Sequence, residues 1–328
     1  MHGRRREKAK KPTASEEEET RQKVASYCAL NNKVFSSKAA SVFTHETLDL
    51  TTRLLKDNTE LHTVWNYRRE IFTHLPEWTD LGTRQTMLEG ELQFLLELIK
   101  SNIKSYWMWN QRVWALTELP KPNWELELGL VAKLLALDAR NYHGWDYRRY
   151  VVSMMKKSGA DPSTVDHNEF VFTTDQINRD CANRSAWHNR SKLLPAELER
   201  SEDREGVLAT EMSMIMNAIY TDPEDQNAWL YHEWLLDIQE SDEDRHRLLR
   251  DKTAAIRELL ELEESKRPLI ELVDAFVALD MLDAQAVTGE EKRECFDILE
   301  RLESMDSYHR RRYQDLETQL RGQWNTSN

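Results

Sequence analysis

Apolar residues recur along most of the chain with the spacing of α-helices. In the segments 86–100 (TMLEGELQFLLELIK) and 124–137 (WELELGLVAKLLAL) they fall at positions i, i+3, i+4 and i+7, and therefore on one helix face. A short turn follows each such segment, and then a second segment built around a Trp. This alternation predicts an all-α chain of helical hairpins.

A Trp marks the second helix of each predicted hairpin. The five anchors, which lie 36 to 44 residues apart, are Trp65, Trp109, Trp145, Trp187 and Trp229. Three residues after them come the basic residues Arg68, Arg112, Arg148, Arg190 and His232. Seven residues before them come Asn58, Asn102, Asp138, Asp180 and Asp222. Such a period is typical of helical-repeat proteins. We expect each Trp to pack between neighbouring hairpins and each Arg to bond to carbonyls or carboxylates of an adjacent helix.

Polar residues and prolines predict where the helices begin and end. The N-cap candidates four residues before the anchors are Ser105, Asn141, Asn183 and Asp225. Leu61 takes that place in the first repeat, where it cannot cap a helix through its side chain. The prolines expected to lie between hairpins are Pro120, Pro122, Pro162 and Pro195.

The repeat pattern weakens after Trp234. Helical periodicity continues in the segments 243–264, 267–281, 290–304 and 307–320. We interpret them as a degenerate sixth hairpin and a capping repeat, since the end of a solenoid needs a polar cover. The predicted organisation is a mobile charged N-terminal arm over 1–20, one helical-repeat domain over 21–322 and a tail over 323–328.

The composition limits the kind of partner and the compartment. The 45 Lys and Arg residues against 58 Asp and Glu residues give a net charge of −13, which argues against a general nucleic-acid binder. The three cysteines, Cys28, Cys181 and Cys295, do not suggest a disulfide framework, so we expect a reducing compartment and favour the cytoplasm. Long apolar runs are absent, and the basic start MHGRRREKAKK leads into acidic residues. We therefore expect neither a transmembrane segment nor a secretory signal.

Two turns carry residues that suit an anionic ligand. Lys104 and Tyr106 lie at the start of the Trp helix of the second repeat, and Asn141, Tyr142 and His143 lie at the equivalent place in the third. Helix N-termini offer free amides and a positive dipole end, which such side chains could complete. Lys104 as a solvated lysine, with tyrosines that only pack between repeats, remains the alternative. Phosphate-loop, dinucleotide-binding and common zinc motifs are absent, so we do not expect the chain alone to be active.

Longer sequence blocks resemble a known family. The segments VWNYRREIF, NYHGWDYRRYV, AWHNRSKLLP and DPEDQNAWLYHEWLL, with the start MHGR, are similar to the repeats of protein prenyltransferase α subunits. The resemblance covers nearly the whole chain and is greatest to the branch that acts in Rab geranylgeranyltransferase. It implies a right-handed, crescent-shaped superhelix of helical hairpins that wraps a separate β subunit.

The resemblance also implies a reaction. In this family the β subunit holds zinc, and a zinc-bound cysteine thiolate of the substrate attacks C1 of geranylgeranyl diphosphate. The expected protein substrate is a Rab GTPase presented by a Rab escort protein, and this chain would itself bind no metal.

The resemblance assigns roles to the residues at the two turns. Lys104 matches the family lysine that reaches across the subunit interface toward the diphosphate. The residues that match the same substrate and interface edge are Tyr106, Asn141, Tyr142 and His143. Two departures from the family pattern are Ile103, where the family often has Pro, and His232 in place of Arg.

Two other functions remain open. The α subunit shared by farnesyltransferase and type-1 geranylgeranyltransferase would differ in its partner and in the substrate tail. A non-catalytic helical-repeat scaffold of the tetratricopeptide type would have a period of about 34 residues, which the wider spacing of the Trp anchors disfavours.

Overall fold

Helices account for most of the chain. The computed structural model describes residues 13–239 and 241–325, with the side chains of Ser101 and Asn325 excepted, and over these residues it contains fifteen α-helices and no strand. The helices are α1 (Ala14–Ala39), α2 (His45–Asp57), α3 (His62–His74), α4 (Leu81–Asn102), α5 (Tyr106–Glu118), α6 (Trp124–Leu137), α7 (Tyr142–Lys157), α8 (Pro162–Arg179), α9 (Arg184–Arg200), α10 (Arg204–Thr221), α11 (Gln226–Asp237), α12 (Asp242–Leu262), α13 (Lys266–Leu282), α14 (Gly289–Met305) and α15 (Arg310–Asn325). The predicted all-α fold is confirmed.

Consecutive helices pack together as hairpins. The pairs in contact include α2 with α3, α4 with α5, α8 with α9, α10 with α11, α12 with α13 and α14 with α15. The last two pairs cover the segments that were interpreted as a degenerate hairpin and a capping repeat, and that interpretation stays a prediction. In the last pair, the Tyr313 hydroxyl donates to Asp306 Oδ2 over 3.1 Å. No described helix is long and apolar enough to cross a membrane.

Three of the four predicted N-caps form. Asn141 Oδ1 accepts from the Gly144 amide over 2.9 Å, Asn183 Oδ1 accepts from the Ala186 amide over 3.2 Å, and Asp225 Oδ1 accepts from the Asn227 amide over 3.1 Å. Leu61 makes no side-chain cap, as expected.

The expectation for Ser105 was wrong. Ser105 stands at the N-cap of α5, but its side chain makes no capping bond. The residue is 5% exposed, and its Oγ has no hydrogen-bond partner in the described chain. The amides at the start of α5 are therefore not capped by this hydroxyl.

The prediction that Pro195 lies between hairpins was also wrong. It lies inside α9, whereas Pro120 and Pro122 precede α6 and Pro162 begins α8. Proline removes one helical hydrogen bond, but Leu194 and Leu198 beside it are buried. Their burial keeps the helix intact through the proline.

Both ends of the chain are more helical than predicted. Helix α1 begins at Ala14 with a capping box between Thr13 and Glu16, so residues 14–20 are helical. Helix α15 runs to Asn325, into the predicted tail. The rest of the arm, with His2, and residues 326–328 lie outside the described residues.

Internal contacts divide the chain into two units. The first takes residues up to Ala136 and also Asn141–Met154, and the second takes Leu137–Arg140 and the chain from Met155 onward. The core of the first unit includes Trp65, Trp109, Leu54 and Leu95, and that of the second includes Trp187, Trp229, Phe276 and Leu279. The single domain over 21–322 stays a prediction.

Candidate functional site

Each Trp anchor ties down the turn that precedes its helix. Four indole N–H groups donate to the carbonyl six residues earlier, in the bonds Trp65 to Thr59 (2.8 Å), Trp109 to Ile103 (2.9 Å), Trp187 to Cys181 (2.7 Å) and Trp229 to Pro223 (2.8 Å). All five anchors, Trp145 included, are at most 5% exposed. The bond from Trp109 fixes the turn that carries Lys104, so this turn is held even though Ile103 replaces the usual proline.

The basic residue three positions later joins two hairpins. Arg112 bonds to the Leu92 carbonyl of its own hairpin over 3.0 Å and to Glu127 at the start of the next hairpin over 2.7 Å. Equivalent bonds join Arg68 to the Leu48 carbonyl (2.9 Å) and Glu91 (2.6 Å), and Arg190 to the Phe170 carbonyl (3.1 Å) and Glu211 (2.8 Å). Arg148 is buried to the same degree. A buried guanidinium needs such partners for its five donors.

A third group, which was not predicted from the sequence, completes each network. The hydroxyl of Tyr147 donates to Glu127, that of Tyr231 to Glu211 (2.9 Å), and the Gln111 amide donates to Glu91 (2.9 Å). Burial raises the pKa of Tyr147 and of Tyr231 far above the usual value of a tyrosine. The signal available in the sequence was the polar residue two positions after the Trp, which is Gln111, Tyr147 and Tyr231 in these three networks.

The fifth repeat lacks this ion pair. His232 is 1% exposed, and burial, with a smaller contribution from the nearby Lys252 charge, lowers its pKa to about 3. Its Nδ1 has no hydrogen-bond partner in the described chain. Lys252 on α12 instead pairs with Glu271 on α13 over 2.7 Å. In this repeat the buried cation is therefore a lysine of the following hairpin, and the Trp helix carries a neutral histidine in place of arginine.

The two candidate turns bring four of the five predicted residues to an exposed edge in the first unit. Tyr106 is 59% exposed and Tyr142 is 69% exposed. The half-buried His143 ring lies between them, with its centroid 5.8 Å from that of Tyr106 and 5.7 Å from that of Tyr142. Lys104 is exposed two residues before Tyr106.

The fifth residue, Asn141, has a different position. It is 4% exposed and caps α7 through Gly144. It therefore fixes the start of α7, where Tyr142 and His143 lie, and its own side chain is not available to a ligand.

This edge is suited to an anion. Helices α5 and α7 both begin there, at Tyr106 and Tyr142, so their free amides and positive dipole ends lie at the edge. Lys104 adds a full positive charge, and it has no ion pair or hydrogen bond within the described chain. A lysine without an internal partner is available to a ligand.

Two further rings continue the edge and were not predicted. The Trp107 ring lies 5.9 Å from that of Tyr106, and the His62 ring lies 5.2 Å from that of Trp107. His62 is the first residue of α3, so the row of rings reaches the first Trp repeat. No group of three His, Cys, Asp or Glu residues that could hold a metal ion occurs among residues 13–239 and 241–325.

Comparison with known proteins places the chain in a family. The model of the protein prenyltransferase alpha subunit repeat matches residues 44–75, 88–119, 124–155, 166–196 and 208–239. Geranylgeranyl transferase type-2 subunit alpha of Saccharomyces cerevisiae is 35% identical over 242 residues, which are 72% of each chain. That of Candida albicans is 34% identical over 282 residues, or 74% of this chain and 76% of the relative. The chain belongs to the protein prenyltransferase α-subunit family.

The prenyltransferase repeats coincide with the hairpins described above. Each of the five matched stretches contains one Trp anchor. The family resemblance drawn from the sequence is confirmed.

Length and fold give two further comparisons. Geranylgeranyl transferase type-2 subunit alpha of Rattus norvegicus is 38% identical over 244 residues, which are 72% of this chain but 42% of the relative. This prenyltransferase α chain thus spans about two fifths of the length of its mammalian relatives. A chain of the Candida albicans protein geranylgeranyltransferase-I complexed with GGPP has the same fold, with a TM-score of 0.68, 19% identity and coverage of 90% and 91% of the two chains.

Proposed function

We propose that the chain is the α subunit of a heterodimeric Rab geranylgeranyltransferase. It would support transfer of a geranylgeranyl group from geranylgeranyl diphosphate to C-terminal cysteines of Rab GTPases presented by an escort protein. The observation that carries this proposal is the 34% to 38% identity to type-2 α subunits over 242 to 282 residues, or 72% to 74% of this chain. The chain alone is inactive in this proposal, because the partner β subunit holds the rest of the site.

Lys104 is the residue proposed to act in the reaction. Departure of diphosphate builds negative charge on the leaving oxygens, and a preorganised cation stabilises that charge. An ammonium about 4 Å from a unit negative charge gains ~4 kcal/mol at an effective dielectric constant near 20. The exposure of Lys104 and its lack of an internal partner support this role.

The neighbouring residues position the diphosphate and the partner. The Tyr106 and Tyr142 hydroxyls and the His143 imidazole lie at the same edge, where they can donate to anionic oxygens. Asn141 acts indirectly, since its cap on Gly144 fixes the start of α7.

Zinc is proposed for the β subunit alone. The described residues of this chain gather no group of metal ligands, and no step of the reaction is assigned to a metal held here. The three free cysteines fit a reducing compartment, and we place the protein in the cytoplasm.

The main alternative is the α subunit of farnesyltransferase or type-1 geranylgeranyltransferase. These enzymes act on C-a-a-X tails and need no escort protein. The structural neighbour is a type-1 enzyme chain, but at 19% identity it supports the shared fold rather than the shared substrate.

Reconstitution tests the proposal. Transfer of labelled geranylgeranyl to a Rab with two C-terminal cysteines is measured with this chain, with a type-2 β subunit and with the co-purified pair, each with escort protein. We expect activity from the pair alone. Activity on C-a-a-X tails without escort protein would assign the chain to the alternative, and failure to pair with any β subunit would indicate a scaffold.

A further inference from the structure

A basic surface patch lies in the second unit, where α14 is joined to α15. Helix α14 ends at Met305 and α15 begins at Arg310, and the side chains of Arg310, Arg311 and Arg312 are all exposed. In the turn between the helices Tyr308 is 89% exposed, and Met305 is 44% exposed. We call these five residues the arginine patch. The roles proposed above use none of them.

The three arginines of the patch have no carboxylate partner. Other arginines of the last four helices form ion pairs, which are Arg247 with Asp244, Arg250 with Glu291, Arg257 with Glu294, Arg301 with Glu264 and Arg321 with Glu317. Arg310, Arg311 and Arg312 form no ion pair within the described chain, and Arg310 bonds only to the Glu303 carbonyl, over 3.4 Å. Three adjacent unpaired cations are a local exception in a chain of net charge −13.

The turn that carries Tyr308 is held by Asp306. The Asp306 Oδ2 atom accepts from the Tyr313 hydroxyl over 3.1 Å and from Lys266 Nζ over 3.2 Å, and it lies 2.9 Å from His309 Nδ1. Tyr313 is 4% exposed, so this bond joins the turn to the core. The carboxylate is therefore used inside the protein and does not neutralise the arginines, and Tyr308 is exposed on a turn that is fixed from within.

We propose that the arginine patch binds the surface of a lipid bilayer that contains anionic lipids. The guanidinium groups attract the phosphate and carboxylate groups of the lipids. Tyr308 and Met305 enter the headgroup region, which suits a ring with one apolar and one polar end. This inference goes beyond the proposed function, because it requires neither a partner subunit nor a protein substrate.

The geometry of the patch favours a flat surface over an acidic peptide. Successive residues of an α-helix are rotated by about 100°, so the three arginine side chains leave the first turn of α15 in directions spread over about 200°. A peptide that lies along one side of the helix would meet one or two of them. A planar surface that faces the end of α15 meets all three, together with the turn that carries Tyr308.

The acidic charge of the remaining chain does not cancel this attraction. Charges act on one another through water over a Debye length, which is about 10 Å at 0.1 M salt, so only the residues close to the bilayer matter. No described helix is long and apolar enough to cross a membrane. Since a single basic cluster with a few apolar side chains binds reversibly, the attachment would be peripheral and sensitive to salt.

The test measures partition onto vesicles by cosedimentation. The full chain, alone and as the heterodimer with a type-2 β subunit, is mixed with vesicles of phosphatidylcholine alone or of equal amounts of phosphatidylcholine and phosphatidylserine. The patch variant combines Arg310→Ala, Arg311→Ala and Arg312→Ala, and two single variants are Tyr308→Ala and Tyr308→Phe. The matched control combines Arg21→Ala, Lys23→Ala and Lys33→Ala, which removes the same three charges from α1, where these side chains are 77%, 74% and 57% exposed.

We expect the unsubstituted chain and its heterodimer to bind the vesicles that contain phosphatidylserine and not those of phosphatidylcholine alone. The patch variant should lose about 10²-fold in partition coefficient, since each basic residue near an anionic surface contributes about fivefold. Tyr308→Ala should lose less, Tyr308→Phe should retain most of the binding, and the control should bind as the unsubstituted chain does. Raising the salt concentration to about 1 M, where the Debye length is about 3 Å, should release the protein.

Three results would overturn the inference. The first is equal binding to both kinds of vesicle or to neither, and the second is an equal loss in the patch variant and the control, which would show an effect of net charge alone. The third is binding by the chain that disappears in the heterodimer, because the β subunit would then cover the patch. Thermal unfolding of each variant shows whether it is folded. Vesicle binding is measured without prenyl transfer, so its outcome is independent of the proposed function.

Discussion

The Arg112 guanidinium on α5 and the Glu127 carboxylate on α6 form a buried ion pair with 2.7 Å between Nη2 and Oε1. Each side chain is 4% exposed. Tyr147 on α7 donates its hydroxyl to the same carboxylate. One glutamate therefore joins three successive helices, and Arg190, Glu211 and Tyr231 repeat the arrangement in the second unit.

Substitution of Glu127 should destabilise the protein strongly. Glu127→Gln keeps the size of the side chain but leaves the Arg112 charge buried without its counter-ion, and such a change costs about 3–5 kcal/mol. The free energy of unfolding in denaturant measures the loss.

An exposed pair serves as the control for Glu127. Glu19 and Lys23 on α1 are also 2.7 Å apart, but their side chains are 66% and 74% exposed. Glu19→Gln should change stability far less, because surface pairs are screened by water. Equal losses in the two variants would contradict a structural role for the buried network.

His232 should make stability depend on pH. Its pKa is about 3 in the folded chain, against an ordinary value of 6.5. Between these values the unfolded chain binds the proton more readily, so the free energy of unfolding falls as pH falls, by up to ~1.4 kcal/mol per pH unit. Above pH 6.5 the residue is neutral in both states and contributes no slope.

The variant His232→Gln isolates this effect. We expect its free energy of unfolding to fall less between pH 7 and pH 5 than that of the unsubstituted chain, since the buried titrating group is gone. Denaturant titrations at several pH values provide the comparison. Parallel pH profiles for the two proteins would show that His232 does not titrate as described.

The two cap positions Ser105 and Asn183 should respond differently to alanine. Asn183 caps α9 and also donates to the Ala139 carbonyl over 3.1 Å, so Asn183→Ala should cost about 1–2 kcal/mol. Ser105 Oγ makes no bond within the described chain, so Ser105→Ala should be neutral or slightly stabilising. Thermal and denaturant unfolding test both, and a large loss at Ser105 would mean that its hydroxyl has a partner after all.

Sequence periodicity located the helices well, and local chemistry located their ends less well. The Trp anchors define the hairpins because a large ring at a fixed register must be buried at the same place in each repeat. The predictions for Ser105 and Pro195 were wrong for a common reason. Whether a serine caps a helix depends on the direction of its hydroxyl, and whether a proline ends a helix depends on the burial of the residues around it. Neither can be predicted from the local sequence.

The candidate site was only partly predictable for similar reasons. Its residues Lys104, Tyr106, Tyr142 and His143 could be proposed from the sequence because they occupy equivalent turns of adjacent repeats. The contact between His62 and Trp107 joins residues that are distant in sequence and share no motif. Glu127 likewise resembles any glutamate of an amphipathic helix until Arg112 and Tyr147 are placed around it.

Substitution of Lys104 is the most direct test of the proposed function. In the heterodimer we expect Lys104→Ala to lower the single-turnover rate of transfer about 10²-fold without raising the subunit dissociation constant. Lys100→Ala, which removes an exposed lysine four residues earlier, should leave the rate unchanged. An unchanged rate for Lys104→Ala in an intact heterodimer would contradict the claim that this chain contributes a catalytic cation to the partner's site.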